Sequence, residues 1–264
     1  MGKQYNILKM KDAGEKFYKV KPIIFDLPFR LLIVGKSQLS GKTNLVGNLL
    51  LRKEFYGGAF DSEDIFVVSP STKTDHKLKV MLEQLEVPDS NVIKGSADGG
   101  AAYEEVLELV YEMLEADYLE AIDKKKKPTP KLVLFDDMSY GGSLKNKTHG
   151  IIAKLFSNGR HLNISTIVTA QKYSDILTSA RENATGLVLF SCTDKQLELI
   201  SEDHNYLPCK KQFKQIFRKV TDSKHSFMVV NYTNPSSERY MDSNFRHICT
   251  CTDGGNSCKG EVVV

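Results

Sequence analysis

Leu31-Leu32-Ile33-Val34-Gly35-Lys36-Ser37-Gln38-Leu39-Ser40-Gly41-Lys42-Thr43 is the stretch on which the reading of this chain turns. Its four consecutive apolar residues ending in a glycine predict a strand buried on both faces. Leu45, Leu49 and Arg52 then follow at helical spacing, toward a stop at Gly57-Gly58. Strand, glycine-bearing loop and helix N-terminus in that order are the setting of a P-loop, whose backbone N–H groups turn inward around a phosphate. Gly41 lets the chain pass close without a Cβ, Lys42 is spaced to reach β- and γ-phosphates, and Thr43 offers a hydroxyl to Mg²⁺. The positive end of the helix dipole favours the same anion. Gly35, Ser37, Ser40 and Asn44 complete the expected nucleotide-binding set, so the cofactors read from this loop are ATP and Mg²⁺. Five residues separate Gly35 from Gly41, not four. Either the loop is one residue longer than usual, or Lys36 takes the first glycine's place.

Outward from this loop the chain alternates apolar runs with helical periods. Ile65-Phe66-Val67-Val68, Leu132-Val133-Leu134-Phe135, Ile164-Ser165-Thr166-Ile167-Val168, Leu187-Val188-Leu189-Phe190 and Phe227-Met228-Val229-Val230 read as buried strands. From Tyr103 to about Lys124, Val106, Leu109, Val110, Met113, Leu114 and Ile122 recur at the period of one helix face. Shorter helices are expected near residues 148–157 and 174–183. Continuous apolar strands separated by helices imply an α/β fold, a mostly parallel central sheet flanked by helices on both faces. The expected division is an N-terminal extension over 1–25, a P-loop domain over 26–234 and a C-terminal tail over 235–264.

Two carboxylates, Asp136 and Asp137, close the run that begins at Lys131. The C-terminal end of a parallel strand is where α/β proteins bind ligands. Beside a P-loop, the first carboxylate can hold the water shell of Mg²⁺ and the second can orient and deprotonate an attacking water. Asp136 is therefore expected as a metal residue with Thr43, and Asp137 as the base; the alternative is that Asp137 only caps the next turn. Thr169-Ala170-Gln171 ends the following strand, so Gln171 emerges at the same edge, where it could hydrogen-bond the γ-phosphate or the water. Arg160 and Arg181 flank this strand, and either could face developing phosphoryl charge from a neighbouring subunit. The alternative for each is a surface ion pair.

The 264 residues carry 36 Lys+Arg against 33 Asp+Glu, a formal charge of +3, too small a surplus to announce a nucleic-acid partner. An apolar share of 41% excludes wholesale disorder. No apolar run approaches the ~18 residues that span a bilayer, so no integral membrane segment is expected, and Met1 to Asn6 contain no secretory h-region. Five cysteines are an odd number in a chain this long and do not form a disulfide framework, so a reducing compartment is expected.

Asn158-Gly159-Arg160-His161-Leu162-Asn163-Ile164-Ser165-Thr166-Ile167-Val168-Thr169-Ala170-Gln171, followed by Arg181-Glu182-Asn183-Ala184, resembles the signature of viral genome-packaging ATPases of the poxvirus A32 type, in the FtsK–HerA group of P-loop motors. The P-loop, Phe66-Val67-Val68-Ser69-Pro70-Ser71 and the Asp136-Asp137 pair follow in the family's order. The resemblance implies an ATP-hydrolysing motor that packages double-stranded DNA into a preformed capsid. Its implied partners are DNA, further copies in a ring (pentamer or hexamer) and a capsid or portal vertex, in a virion or at an assembly site in host cytoplasm. It also implies that Gln171 closes the fourth strand and that Arg160 acts in trans. The sequence departs from FtsK-like members in the longer loop and in aspartate at 137 where they carry glutamate.

Two other readings use the same loop: a P-loop nucleotide kinase, for which no arginine-rich lid is evident, and a nucleotide-gated interaction module. Lys124 to Lys127 and the basic positions of Lys210 to Lys219 are candidate DNA contacts or simply solvated faces. His247, Cys249, Cys251 and Cys258 could supply zinc ligands or be free thiols on a tail.

Overall fold

The computed structural model describes residues 24–37, 40–94, 101–137 and 150–249, together with the backbone of 262–263. In chain order β1 is Arg30–Val34, α1 Lys42–Leu51, β2 Ile65–Ser69, α2 His76–Gln84, β3 Val92–Lys94, α3 Ala101–Asp123 and β4 Lys131–Phe135. There follow α4 Ile151–Asn158, β5 Ile164–Ala170, α5 Thr178–Asn183, β6 Gly186–Phe190, α6 Asp194–His204, α7 Lys210–Val220, β7 Phe227–Asn231 and β8 Tyr240–Met241. A separate parallel pair joins β9, Ile248–Cys249, to β10, Val262–Val263.

The main sheet has eight strands in the order β3-β2-β4-β5-β1-β6-β7-β8. From β3 to β6 every pairing is parallel; β7 and β8 are antiparallel. Each expected strand is present, because both of its faces are covered. Leu31 and Ile33 of β1 enter the core beneath α1 and α2, which we term the front face. Leu32 and Val34 enter the core with α3, α4, α6 and α7, the back face. A strand buried on both sides favours apolar residues on both, and that is why β1 reads as an unbroken apolar run.

Three differences from the sequence reading have local causes. Residues 174–183 are not one helix: a 3₁₀ turn, Tyr173–Asp175, is followed by extended Ile176 and Leu177 before α5 begins. The extended backbone turns Ile176 into the back core beside Tyr173, and that burial outweighs helical continuity. α2 and α6 do not stand out in the sequence because each buries only a narrow stripe; in α2 this is Leu78 and Met81. The sheet also runs past residue 234, since Tyr240 and Met241 of β8 are buried against β7. The expected extension over 1–23 and the segment 250–261 lie outside the described residues.

Candidate functional site

β1 is central, with β5 on one side and β6 on the other, and its ladder with β5 continues into the loop through a Gly35 N–H donated to Ala170 O at 3.1 Å. A Cβ on Gly35 would fall 2.6 Å from Ser40 Cβ and 2.9 Å from Phe190 Cβ, so only glycine lets the loop fold back here. At the far end of the loop Gly41 has φ +89°, the left-handed conformation in which a side chain is strained, and it hands the chain directly into α1. Ser40 is tied back by its Oγ to Lys36 O at 2.7 Å. Gln38 and Leu39 lie outside the described residues.

Lys42 is 7% exposed and donates from Nζ to Gly35 O at 2.7 Å, so its ammonium sits inside the turn of the loop. Burial lowers its pKa, while the Asp137 and Asp136 carboxylates pull it the other way. Asp136 and Asp137 end β4, two strands from β1, and β5 lies between them. That intervening strand joins the two halves of the site. Thr169 Oγ1 donates to Asp136 Oδ1 at 2.9 Å and accepts the Asp137 N–H at 2.8 Å. Gln171 Nε2 donates to Asp137 Oδ1 at 2.9 Å. Asp137 itself has φ 52°, an uncommon backbone for a non-glycine residue, which turns the chain sharply off the strand end. Asp136 is 3% exposed, and burial pushes its carboxyl up to about 6.

Lys42, Asp136 and Asp137 face one cleft of about 390 Å³, into which Ser37, Thr43 and Asn44 also open. Sequence reading missed three residues around it. Asp75 caps α2, accepting from the Lys77 and Leu78 N–H groups, and its charge raises Asp136 further. An aspartate before the apolar spacing of Leu78 and Met81 was the available signal. Thr169 stands two residues before Gln171, on the same face of β5. His225 sets Nδ1 3.3 Å from Ser40 O and has no local signal, as it comes from the turn before β7.

The residues present fit a magnesium nucleotide. The loop presents glycine where a Cβ would collide and a buried ammonium, and Thr43 lines the same cleft as the desolvated Asp136 carboxylate. Mg²⁺ is a hard cation that keeps several waters and needs few protein oxygens. Among the described residues no group of three or more His, Cys, Asp or Glu forms a metal cluster. Of the tail ligands considered for zinc, His247 bonds through Nδ1 to Glu238 O at 2.9 Å, while Cys251 and Cys258 lie outside the described residues.

The two arginines are elsewhere. Arg160 lies in the 3₁₀ turn Gly159–Leu162 before β5, with Nε 3.2 Å from His161 Nε2. The seven residues of β5, at about 3.3 Å each, set it roughly 20 Å from the Gln171 end of the sheet, beyond the reach of its own Lys42 cleft. Arg181 pairs with Asp203 and stacks 4.8 Å over the Tyr173 ring. It lines a second cleft of about 490 Å³ with His204, Tyr206, Tyr232 and Arg239, away from the phosphate loop. The basic face of α7 is largely neutralised within the chain: Lys210, Lys214 and Arg218 pair with Glu202, Glu198 and Asp194 of α6. Phe213 and Phe217 are core residues.

A sequence profile of the family described as Poxvirus A32 protein matches residues 15–255. The chain belongs to the poxvirus A32 protein family. No curated protein sequence matches it. The fold of this A32-family chain is similar to that of the genome packaging NTPase B204 from Sulfolobus turreted icosahedral virus 2 in complex with ATP-gammaS, at 13% identity and TM-score 0.53, covering 83% of this chain and 98% of that one. It is likewise similar to B204, the DNA-packaging ATPase from Sulfolobus Turreted Icosahedral Virus, at 15% identity and TM-score 0.52, covering 84% of this chain and 98% of that one. At these identities the likeness is one of fold. No helix among the described residues is long and apolar enough to cross a membrane.

Proposed function

We propose that this A32-family protein hydrolyses ATP and uses the energy to translocate double-stranded viral DNA into a preformed capsid. The observation that carries the reading is the convergence of Lys42, Asp136 and Asp137 on one cleft behind a glycine loop, with Gln171 bonded to the Asp137 carboxylate. Lys42 moves from Gly35 O to the β- and γ-phosphate oxygens, and the N–H groups of the loop and of α1 cradle the β-phosphate. Thr43 and Asp136 would hold Mg²⁺, which would supply positive charge against the phosphates. Asp137 accepts a proton from the attacking water while Gln171, already bonded to its carboxylate, orients that water. The water oxygen bonds to the γ-phosphorus, the bond to the bridging oxygen breaks, and ADP and phosphate leave.

Arg160 cannot reach the Lys42 cleft of its own chain, which supports its delivery to a neighbouring copy in a ring of five or six. Arg181, already paired with Asp203, is better suited to holding α5 against α6 than to meeting phosphate. Work at a virion assembly site in host cytoplasm, against a capsid or portal vertex, belongs to the same reading. With a net charge of +3 each subunit would grip DNA weakly and in a salt-sensitive way, and useful affinity would come from assembly. The test is phosphate release with and without long double-stranded DNA across protein concentrations. Turnover should rise with both and vanish in Lys42→Ala; turnover indifferent to DNA and concentration would overturn the motor.

A further inference from the structure

Among the described residues the large apolar side chains left in water are Val106, Leu109, Met113, Leu119, Ile122 and Tyr206, and the first five belong to α3. The same helix covers the back face of the sheet with Leu107, Tyr111 and Leu114. Val106, Leu109 and Met113, spaced by three and four, share a second side of the helix away from that buried stripe, and they are exposed among the described residues. An exposed apolar patch of this kind marks a contact surface. Every charged residue of α3 is a carboxylate. Glu108, Asp117 and Glu120 are matched within the chain by Lys154, Lys131 and Lys124. Glu105 and Glu112, exposed on either side of Leu109, have no ion-pair partner among the described residues.

The front face carries the complement. Between α1 and α2 runs a groove of about 370 Å³ with Gly47, Leu51, Val80 and Met81 in its wall, Arg52 and Lys77 as its cations, and no acidic residue lining it. A Cβ on Gly47 would meet only the Met81 side chain, Sδ at 3.8 Å and Cγ at 3.9 Å, both ordinary contacts, so the missing side chain there leaves depth without a packing reason. The groove borders the phosphate-loop cleft, sharing Thr43, Asn44, His76 and Lys77 with it.

We propose that the outer face of α3 in one copy of this chain docks in the α1–α2 groove of the next copy. An amphipathic helix seated in an apolar groove is a common recognition mode, and the carboxylates of α3 meet cations at the rim. The two surfaces lie on opposite faces of one sheet. A contact between them is heterologous and propagates into a ring or filament, whereas a two-fold pair would need one patch to match itself. The turn that holds Arg160 packs against α3, so the same contact carries Arg160 toward the neighbour's Lys42 cleft. Only this last consequence rests on the ATPase reading; the surfaces rest on exposure and charge.

The test is sedimentation of the full chain over a range of concentrations, with binding of a fluorescent ATP analogue as the check that each variant is folded. Leu109→Lys on the helix and Gly47→Leu in the groove should each weaken association at least tenfold while the analogue still binds; Val80→Arg is the second groove variant. A mixture of Leu109→Lys with Gly47→Leu should form dimers and stop there, because one intact helix face and one intact groove remain between them. The proposal fails if the wild type is a monomer throughout. It fails equally if the variants assemble like the wild type, which would put residues 1–23 or another protein over α3, or if the mixture stays monomeric. Assembly without ATP hydrolysis would overturn the catalytic reading and leave the interface standing.

Discussion

A buried hydroxyl, that of Thr169, spans both carboxylates of the site, donating to one and accepting from the backbone of the other. Thr169→Val keeps the shape and removes both bonds, so Asp136 Oδ1 and the Asp137 N–H lose their partner at a cost of about 1–3 kcal/mol. If Asp136 holds the metal as proposed, steady-state ATP turnover should fall roughly 10–100-fold, the usual penalty for removing a group that orients a metal carboxylate. A second residue-scale consequence concerns His204, which is 4% exposed between Tyr173 and Tyr232. One neutral tautomer satisfies the chain of bonds: Tyr232 O–H donates to Nδ1, Nε2–H donates to Tyr173, and Tyr173 O–H donates to Asp203 at 2.7 Å. Burial lowers the imidazole to about 4. The unfolded chain therefore binds the proton first on acidification. Stability from this group is full above about pH 6.5 and declines toward pH 4, by up to about 3 kcal/mol. Urea midpoints at pH 7 and pH 4.5 measure the decline, and His204→Gln should shrink it.

Elements place these residues by their ends. β1, β4 and β5 all terminate at one edge, so Gly35, Asp136 and Gln171 meet there although the chain separates them widely. The loop itself depends on close packing of Gly35 against Ser40 and Phe190. Gly35→Ala should lower stability by about 1–3 kcal/mol through overpacking. It should weaken binding of a fluorescent ATP analogue more than it lowers the unfolding midpoint suggests, since Lys42 is anchored on the Gly35 carbonyl. α6 and α7 act as a pair, their opposite charges facing each other, which leaves little of the α7 basic face for DNA. The Lys124 to Lys127 run is exposed after α3, with Lys124 paired to Glu120.

At the scale of the whole molecule, the length of β5 separates Arg160 from the Lys42 cleft, and this makes shared sites testable. Neither Lys42→Ala nor Arg160→Ala should turn over ATP alone. In an equal mixture about a quarter of the contacts join an intact Lys42 to an intact Arg160, so about a quarter of wild-type turnover should return if the sites lie between copies. A mixture as inactive as its parts would place Arg160 outside the reaction.

The strands, the parallel sheet and the phosphate loop were legible in the order of residues because each is contiguous: an apolar run is its own evidence of burial on two faces, and a glycine loop before a helix is its own evidence of an anion site. Asp136, Asp137 and Gln171 were legible for a related reason, as polar residues at the ends of apolar runs. What the order of residues left open depends on pairs far apart in the chain. Arg181 finds Asp203, Lys214 finds Glu198, and Thr169 finds Asp136 only once the sheet and its helices are stacked. The apolar positions of α3 read as a single core face, yet Val106, Leu109 and Met113 turn out to water, because a 23-residue helix buries one stripe against a flat sheet and has to leave the other for something else to cover.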